Sequence, residues 1–232
     1  MDTTPPSDPV RVIVPMAGGE ALPPASFFER VLGADGRVEL VVAADRSLPE
    51  ASRRALETFG ATVVPAEGPR GARLAFAAST ARGGILLFLH ADTLLPIGWK
   101  PLVVAAVAAG CAGGAFRLAF DGGGARMVFV AFWANVRTAV TRVPYGDQAP
   151  FVRRDVYQRL GGHRPWPLLE DLEFGSRLKR AGRISILPAK VRTSPRRYLE
   201  KGILRTLIRN KLILYRYYRG ESPERLAELY RR

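Results

Sequence analysis

One cysteine, Cys111, is all the thiol chemistry this chain carries. That excludes an internal disulfide framework and any cysteine-based metal cluster. A lone thiol among small apolar neighbours reads as core packing in a protein suited to a reducing cytosol. Long apolar runs are missing too. Nothing approaches the ~18 uninterrupted apolar residues of a spanning helix; the nearest stretches are 102–116, mostly alanine and glycine, and the shorter 127–134. Residues 1–9 carry neither a basic cluster nor an apolar segment, so they read as a disordered lead-in and not as a secretory leader. No internal repeat and no clean linker divides the 232 residues, which suits one domain with a helical tail.

Negative charge is scarce. The chain has 21 Asp and Glu against 35 Lys and Arg, a formal net charge of +14. From Arg183 to the end, 14 basic residues face 4 acidic ones, so this last portion carries +10 of the total. Such a surface favours phosphorylated substrates, anionic headgroups or nucleic acid. Hydrophobic content of 47% and aromatic content of 9% indicate an ordinary globular core.

The chain is organised around the apolar stretch 83–93, which ends abruptly in His90 and Asp92. A short continuous apolar run bounded by glycine and a polar turn suits a strand buried on both faces of a parallel sheet. Ligands bind beyond the carboxyl ends of such strands. His90 and Asp92 are two apart and in extended chain would face the same side. Upstream, the pattern predicts strands at 10–15, 38–43 and 61–65 and helices at 24–32, 49–59 and 74–81. Strand and helix alternate, as in a doubly wound α/β sheet. Downstream, helices are predicted at 101–109, 127–140, 155–161 and 167–181, with strands at 113–120, 149–152 and 184–188. The segment 144–148 reads as a loop.

A second pair of acids, Glu170 and Asp171, opens the helix after 167. The helix dipole favours their ionised forms. Adjacent helix residues point about 100° apart, so one is expected in a cleft and the other in water. In the tail, 203–218 alternates apolar and basic residues at helical spacing. Packing of the apolar face on the domain is the leading expectation, and an interfacial helix on anionic lipid is the alternative. Tyr215, Tyr217 and Tyr218 among basic residues hint at RNA, but no nucleic-acid motif accompanies them.

Taken in order, several segments resemble the family 2 glycosyltransferases. They are the strands ending at Pro15 and Asp45, Leu89-His90-Ala91-Asp92, Gly113-Gly114-Ala115-Phe116, Pro144-Tyr145-Gly146-Asp147-Gln148 and Leu169-Glu170-Asp171. Thr193-Ser194, Arg196-Arg197 and Ser222-Pro223 with Leu226 and Tyr230 narrow the resemblance to a bacterial subgroup. That subgroup is labelled arsenosugar-biosynthesis, or radical-SAM/selenodomain-associated, glycosyltransferases. The resemblance runs from Val10 to Tyr230.

It implies a GT-A fold, with a Rossmann-like, mostly parallel central sheet, helices on both faces and a basic helical tail. A nucleotide-sugar half (10–93) and an acceptor half (94–198) would precede a helical extension (199–232). Asp92 matches the metal-binding acid that would hold Mn2+ or Mg2+ on the diphosphate of a UDP- or GDP-linked donor, with His90 in the companion position. Asp171 matches the catalytic base, with Glu170 beside it. Pro15, Asp45, Arg70, Arg73, Ala91, Arg196 and Arg197 fall on the donor side, and Tyr145, Gly146, Asp147 and Gln148 on the acceptor side. The implied partners are a small-molecule or lipid-linked acceptor and no nucleic acid. The implied location is cytoplasmic, with peripheral contact to the inner membrane face through the basic tail. The apolar helix around Trp133 would form a homodimer contact, cover the acceptor site or touch lipid.

The departures from the family pattern all fall in the donor half. Met16-Ala17-Gly18-Gly19-Glu20 lacks the usual Asn, Asp45 is displaced in Ala43-Ala44-Asp45-Arg46-Ser47, and Pro69-Arg70-Gly71-Ala72-Arg73 has lost its polar partners. Arg70 and Arg73 are phosphate contacts in one reading and a solvated loop in the other. A catalytically silent binding protein of the same fold therefore stands as the alternative to the enzyme. A sugar-nucleotide pyrophosphorylase-like chain would need a glycine-rich basic loop after the first strand, which Gly18-Gly19 does not provide.

Overall fold

The computed structural model describes residues 10–33, 38–80 and 83–231; the expected disordered lead-in lies outside them. Strands β1 (Val10–Met16), β2 (Val38–Ala44), β3 (Thr62–Pro65) and β4 (Ile85–Phe88) alternate with helices α1 (Ala25–Leu32), α2 (Glu50–Thr58) and α3 (Arg70–Ser79). After β4 come β5 (Thr93–Leu94), α4 (Trp99–Ala108), β6 (Gly113–Phe120), α5 (Gly124–Thr141) and a 3-10 turn at Gly146–Gln148. Then follow β7 (Phe151–Arg153), α6 (Arg154–Arg159), α7 (Glu170–Ala181) and β8 (Ile184–Thr193), and the tail supplies α8 (Arg196–Lys201), α9 (Ile203–Tyr218) and α10 (Pro223–Arg231).

The sheet runs β3-β2-β1-β4-β7-β6-β8-β5. β1 pairs in parallel with β2 and β4, β2 with β3, and β6 with β8, while β7 and β5 run antiparallel to their neighbours. The central strands are apolar throughout because both faces are covered. On one face, Val10, Val12 and Val14 pack with Phe27 of α1, Leu56 of α2 and Val103 of α4. On the other, Ile13 and Val41 pack with Leu74 of α3, Tyr157 of α6 and Phe174 of α7. Arg11 stays charged inside β1 because its register partner on β2, Glu39, accepts from its guanidinium, which also donates to Thr80 Oγ1 at 2.9 Å. Cys111 is buried, as expected of a packing thiol.

The motif Gly113-Gly114 has a packing cause. A Cβ on Gly114 would lie 2.2 Å from the carbonyl oxygen of Ser185 on β8 and 2.6 Å from the Phe151 ring.

Several boundaries differ from expectation. α3 begins four residues early, at Arg70, since Pro69 holds the extended geometry that starts a helix. The 184–188 strand runs on to Thr193, because after a register shift at Phe116/Arg117 it continues beside β6. β5 was not anticipated: two residues give too little pattern to read. β4 stops at Phe88, and His90 to Asp92 form a turn closed by Thr93 N–H donating to the His90 carbonyl at 3.1 Å. The two side chains therefore share a location through a turn and not through strand alternation.

The largest difference is in the tail. Only Thr206 and Ile213 of α9 are buried, while Leu204, Ile208, Leu212 and Tyr215 are exposed. The expectation that its apolar stripe packs on the domain holds only in part: Ile213 is buried, and the inner face of α9 presents Thr206 and Asn210 beside Ile213 and Leu214 to a cavity. Among the described residues no helix is long and apolar enough to cross a membrane.

Candidate active site

Chain order passes from β1 to β2 and β3 on one side and returns to β4 on the other. The loops after β1 and β4 therefore diverge and leave a crevice at a topological switch point, where open α/β sheets bind ligands. Two cavities fill it, of about 560 and 410 Å³. They share Arg70, His90, Asp92, Ser194 and Arg197. The larger is completed by Pro15, Glu20, Arg73, Ala91 and Arg196. The smaller is completed by Tyr145, Asp147, Glu170 and Asp171 and roofed by Tyr198, Asn210 and Tyr230 of the tail. A third, shallow cavity of about 690 Å³ lies at the opposite ends of β6 and β8, around Cys111, Lys179 and Arg183, and holds no carboxylate.

The junction is built from four segments. Asp92 is anchored by its backbone: Ser194 N–H donates to its carbonyl at 3.2 Å, and the next residue, Thr93, donates its hydroxyl to Thr193 Oγ1 at 2.9 Å. Its carboxylate is exposed to both cavities. Arg70, at the start of α3, reaches across the junction. Its Nη2 donates to His90 Nε2 at 2.5 Å, and its Nε lies 3.3 Å from Glu170 Oε1. Burial first, then the nearby guanidinium, holds His90 well below its ordinary value. The imidazole is therefore neutral, and its Nε2 lone pair is engaged by Arg70.

Gly146 is the contact point between the loop and the acids. A Cβ there would sit 2.7 Å from His90 Nε2 and 3.1 Å from Asp171 Oδ2. With no side chain, its N–H donates to Asp171 Oδ2 at 2.6 Å, while Leu172 N–H donates to Oδ1 at 2.7 Å. Asp171 is thus oriented by two backbone donors at the start of α7, with its carboxylate on the cavity wall. Glu170 is buried, and burial pushes its carboxyl up against the opposing pull of Arg70. The helix dipole does not dominate there. Both acids line the same cavity, Glu170 buried and Asp171 half-buried, so they do not divide between cleft and water as expected. Asp147 is pushed up to about 6, first by burial, with Arg137 opposing and Asp171 adding to the rise. Its Oδ1 has no hydrogen-bond partner.

Most predicted residues gather here, and three take different roles. Gln148 points into the core: its Oε1 accepts from Thr138 Oγ1 at 2.7 Å and from Tyr145 N–H at 3.3 Å, so it holds the 145–148 turn and does not line the cavity. Gly146 acts through its backbone. Asp45 stands behind Arg73, 3.8 Å from it, and is tied to Ser47, whose hydroxyl also takes the Gly18 N–H at 2.7 Å. The Ser47 hydrogen bond lowers the Asp45 pKa.

Arg73 itself is buried, donates to the Met16 carbonyl at 2.7 Å and leaves its Nε without a partner. The solvated-loop reading of Arg70 and Arg73 is therefore excluded. Glu20, Tyr198, Asn210 and Tyr230 were not foreseen as site residues. Tyr230 alone had a signal, as part of the tail motif, and its hydroxyl accepts from Arg197 at 2.6 Å.

Several solved structures are similar to this chain. S. aureus TarS aligns with 18% identity and a TM-score of 0.57, over 80% of this chain and 36% of that one. The mannosyltransferase PcManGT from Pyrobaculum calidifontis, in complex with GDP-Man and Mn2+, aligns with 19% identity and a TM-score of 0.59, over 81% and 57%. With this likeness the architecture is decided. The chain has the GT-A fold.

Glucosyl-3-phosphoglycerate synthase from Mycobacterium tuberculosis, in complex with Mn2+, UDP and phosphoglyceric acid, matches the same fold with 20% identity and a TM-score of 0.55, over 79% of this chain and 69% of that one. The chain spans about a third of TarS and just over half of PcManGT. No family model matches it, and no curated protein is similar to it.

On this GT-A frame, a metal would depend on its substrate. Among the described residues no group of three or more His, Cys, Asp and Glu forms a site. Hard divalent cations are commonly held by one or two carboxylates plus substrate phosphates, and the exposed Asp92 carboxylate at the junction fits that arrangement.

Proposed function

We propose that this chain is a metal-dependent, inverting glycosyltransferase of the family 2 type, related to the arsenosugar-biosynthesis subgroup. It would move a sugar from a UDP- or GDP-linked donor to an acceptor hydroxyl. One observation carries the reading: a cationic cavity and an acidic one meet at Asp92, at the switch point of a GT-A sheet.

The donor half (10–93) offers Arg73 and the shared Arg70 to the nucleoside diphosphate, and Arg197 reaches the same cavity from the start of the tail; guanidinium forks are suited to that group. Mn2+ or Mg2+ held by Asp92 would neutralise charge on the departing diphosphate. His90, neutral and bonded to Arg70, keeps that guanidinium at the junction. In the acceptor half (94–198), Asp171 takes the proton from the acceptor hydroxyl as its oxygen attacks the anomeric carbon. Two backbone donors orient the carboxylate for that proton transfer. In-line attack by that hydroxyl from the face opposite the departing diphosphate would invert the anomeric centre.

The test is calorimetric binding of UDP, GDP and their sugar conjugates, with and without Mn2+, to wild type and Asp92→Ala. Metal-dependent binding by wild type alone supports the donor site. A second reading, a silent binding protein, is favoured by the Arg70 bridge to His90 and Glu170 and by the altered donor motifs. It predicts a folded protein that binds no nucleotide and is indifferent to Asp171→Asn.

A further inference from the structure

Two helices carry apolar stripes on their outward faces. On α5, the outer face carries Val128, Phe129, Phe132, Trp133 and Val140, with Phe129 61% and Trp133 55% exposed. Trp133 packs edge-to-face on both Phe129 and Phe132, and among the described residues the three rings stack on no other aromatic side chain. The inner face packs separately, with Met127, Val130 and Ala131 buried, Asn135 bracketing the backbone of Leu118 and Thr138 bonded to Gln148. α9 also carries an apolar stripe that the domain does not cover. Leu204, 72% exposed, Ile208, Leu212 and Tyr215 recur at intervals of three or four and form one outward stripe.

The helices flank the same acceptor-side cavity. Arg137 of α5 stacks 3.3 Å over Tyr145, a cavity residue whose phenol is also within electrostatic reach of Tyr218 on α9. At the other end, Tyr198 of α8 packs on Phe120, just before α5, with ring centroids 5.5 Å apart.

Charge selects the occupant. Neither 124–142 nor 201–219 contains a single Asp or Glu. Arg126 and Arg142 stand exposed at the two ends of α5, and Lys201, Arg205, Lys211 and Arg219 along the tail. A second copy meeting this surface about a two-fold axis would oppose cation to cation. A bilayer with anionic headgroups offers the complement: acyl chains for the apolar stripe, phosphates for the cations, and an interfacial zone in which Trp and Tyr are favoured.

We propose that the outward faces of α5 and α9 form a docking surface for an anionic lipid bilayer, beside the mouth of the acceptor-side cavity. The surface itself is argued from exposure and charge. Its consequence, that the acceptor hydroxyl belongs to a lipid-linked compound, rests on the transfer reading above.

The experiment is co-sedimentation of the full chain with vesicles of phosphatidylcholine alone or with roughly 30% phosphatidylglycerol. No donor or acceptor is present, so the result stands whether or not the chain transfers sugar. Wild type is expected to partition to the anionic vesicles and not to the neutral ones. The doubles Phe129→Glu/Trp133→Glu and Leu204→Glu/Ile208→Glu are each expected to lower partitioning by about 10-fold or more, with unchanged circular dichroism since all four side chains are exposed. Brominated acyl chains should quench tryptophan fluorescence in wild type, and much less in Trp133→Phe. Binding by the doubles equal to wild type would mean diffuse attraction of a +14 chain and would overturn the proposal. So would failure of folded wild type to bind, or a dimer abolished by the same substitutions without vesicle binding, which would assign the faces to a second copy.

Discussion

In the cavity beyond β1, charged side chains are braced against backbone and one another. Arg73 is held by the Met16 carbonyl and backed by Asp45, which is held in turn by Ser47. In the cavity beside α7, four carboxylates gather around the shared Arg70 and Arg197, and two of them, Asp147 and Glu170, keep a buried oxygen without a hydrogen-bond partner. The first region holds its cations in a fixed shape, with Arg73 Nε left open, suited to a diphosphate that arrives with its own charge. The second leaves carboxylate oxygens open at a cost to stability, the usual trade at a site that must receive a hydroxyl and a proton. Asp171 is the acid in that second cavity held by two backbone donors.

That contrast is broken most directly at Asp171. Asp171→Asn keeps the shape but removes the proton acceptor, and turnover is expected to fall by roughly 10²–10⁴-fold. Nucleotide affinity measured by calorimetry should not change; a matching loss of affinity would place Asp171 on the donor side. The reciprocal variant, Asp92→Ala, is expected to abolish the metal dependence of nucleotide binding, since a hard cation there has one protein carboxylate to hold it. Equal binding with and without Mn2+ in wild type would show that the donor cavity works through its arginines alone.

A smaller effect is expected at Gly146→Ala. Its Cβ would crowd His90 and the Asp171 carboxylate, with a cost of about 1–3 kcal/mol from overpacking. A lower thermal midpoint and a fall in turnover larger than the fall in donor affinity would confirm that the glycine serves the acid.

The smallest effect is a pH dependence at Asp147. Its folded-state value near 6 lies above the ordinary 3.8, so the folded state holds the proton more tightly than the unfolded state. Its contribution to stability is therefore greatest below about pH 4 and is lost as the pH rises through about 6. Asp147→Asn should stabilise the protein at about pH 8 by on the order of 1–3 kcal/mol and converge with wild type near pH 4 in chemical denaturation. No difference at the higher pH would mean that Arg137 compensates the charge fully.

Local pattern carried the nucleotide-side architecture. Apolar runs closed by Pro15, Asp45 and Asp92 told of strands buried on both faces, and the proline and glycine punctuation between them told of helices. Boundaries slipped where a neighbour set them: α3 starts at Arg70 through Pro69, and β8 extends to Thr193 because β6 lies beside it. Asp92 and Asp171 were visible as candidates because one closes an apolar run and the other opens a helix, and Asp147 through the family resemblance of its loop. The actual part played by Gln148 was not visible, because whether a polar side chain faces the core or the cavity depends on a rotation that spacing does not encode.

The tail shows the same limit on a larger scale. Its alternation determined a helix, but helical spacing says only that a helix has two faces, and not which of them meets protein. Tertiary structure decided that: the face of α9 with Thr206, Asn210, Ile213 and Leu214 lines a cavity whose other wall lies more than 60 residues away in sequence at Tyr145. The stripe of Leu204, Ile208, Leu212 and Tyr215 was left outward. By itself the sequence determined the β-α alternation, the single reduced thiol, the basic surface and the residue types available for chemistry, all of which follow from local preference and composition. Assembly of Arg70, His90, Asp92, Gly146 and Asp171 into one junction came only with the sheet order, since contacts between segments 20 to 101 residues apart depend on which strands lie side by side.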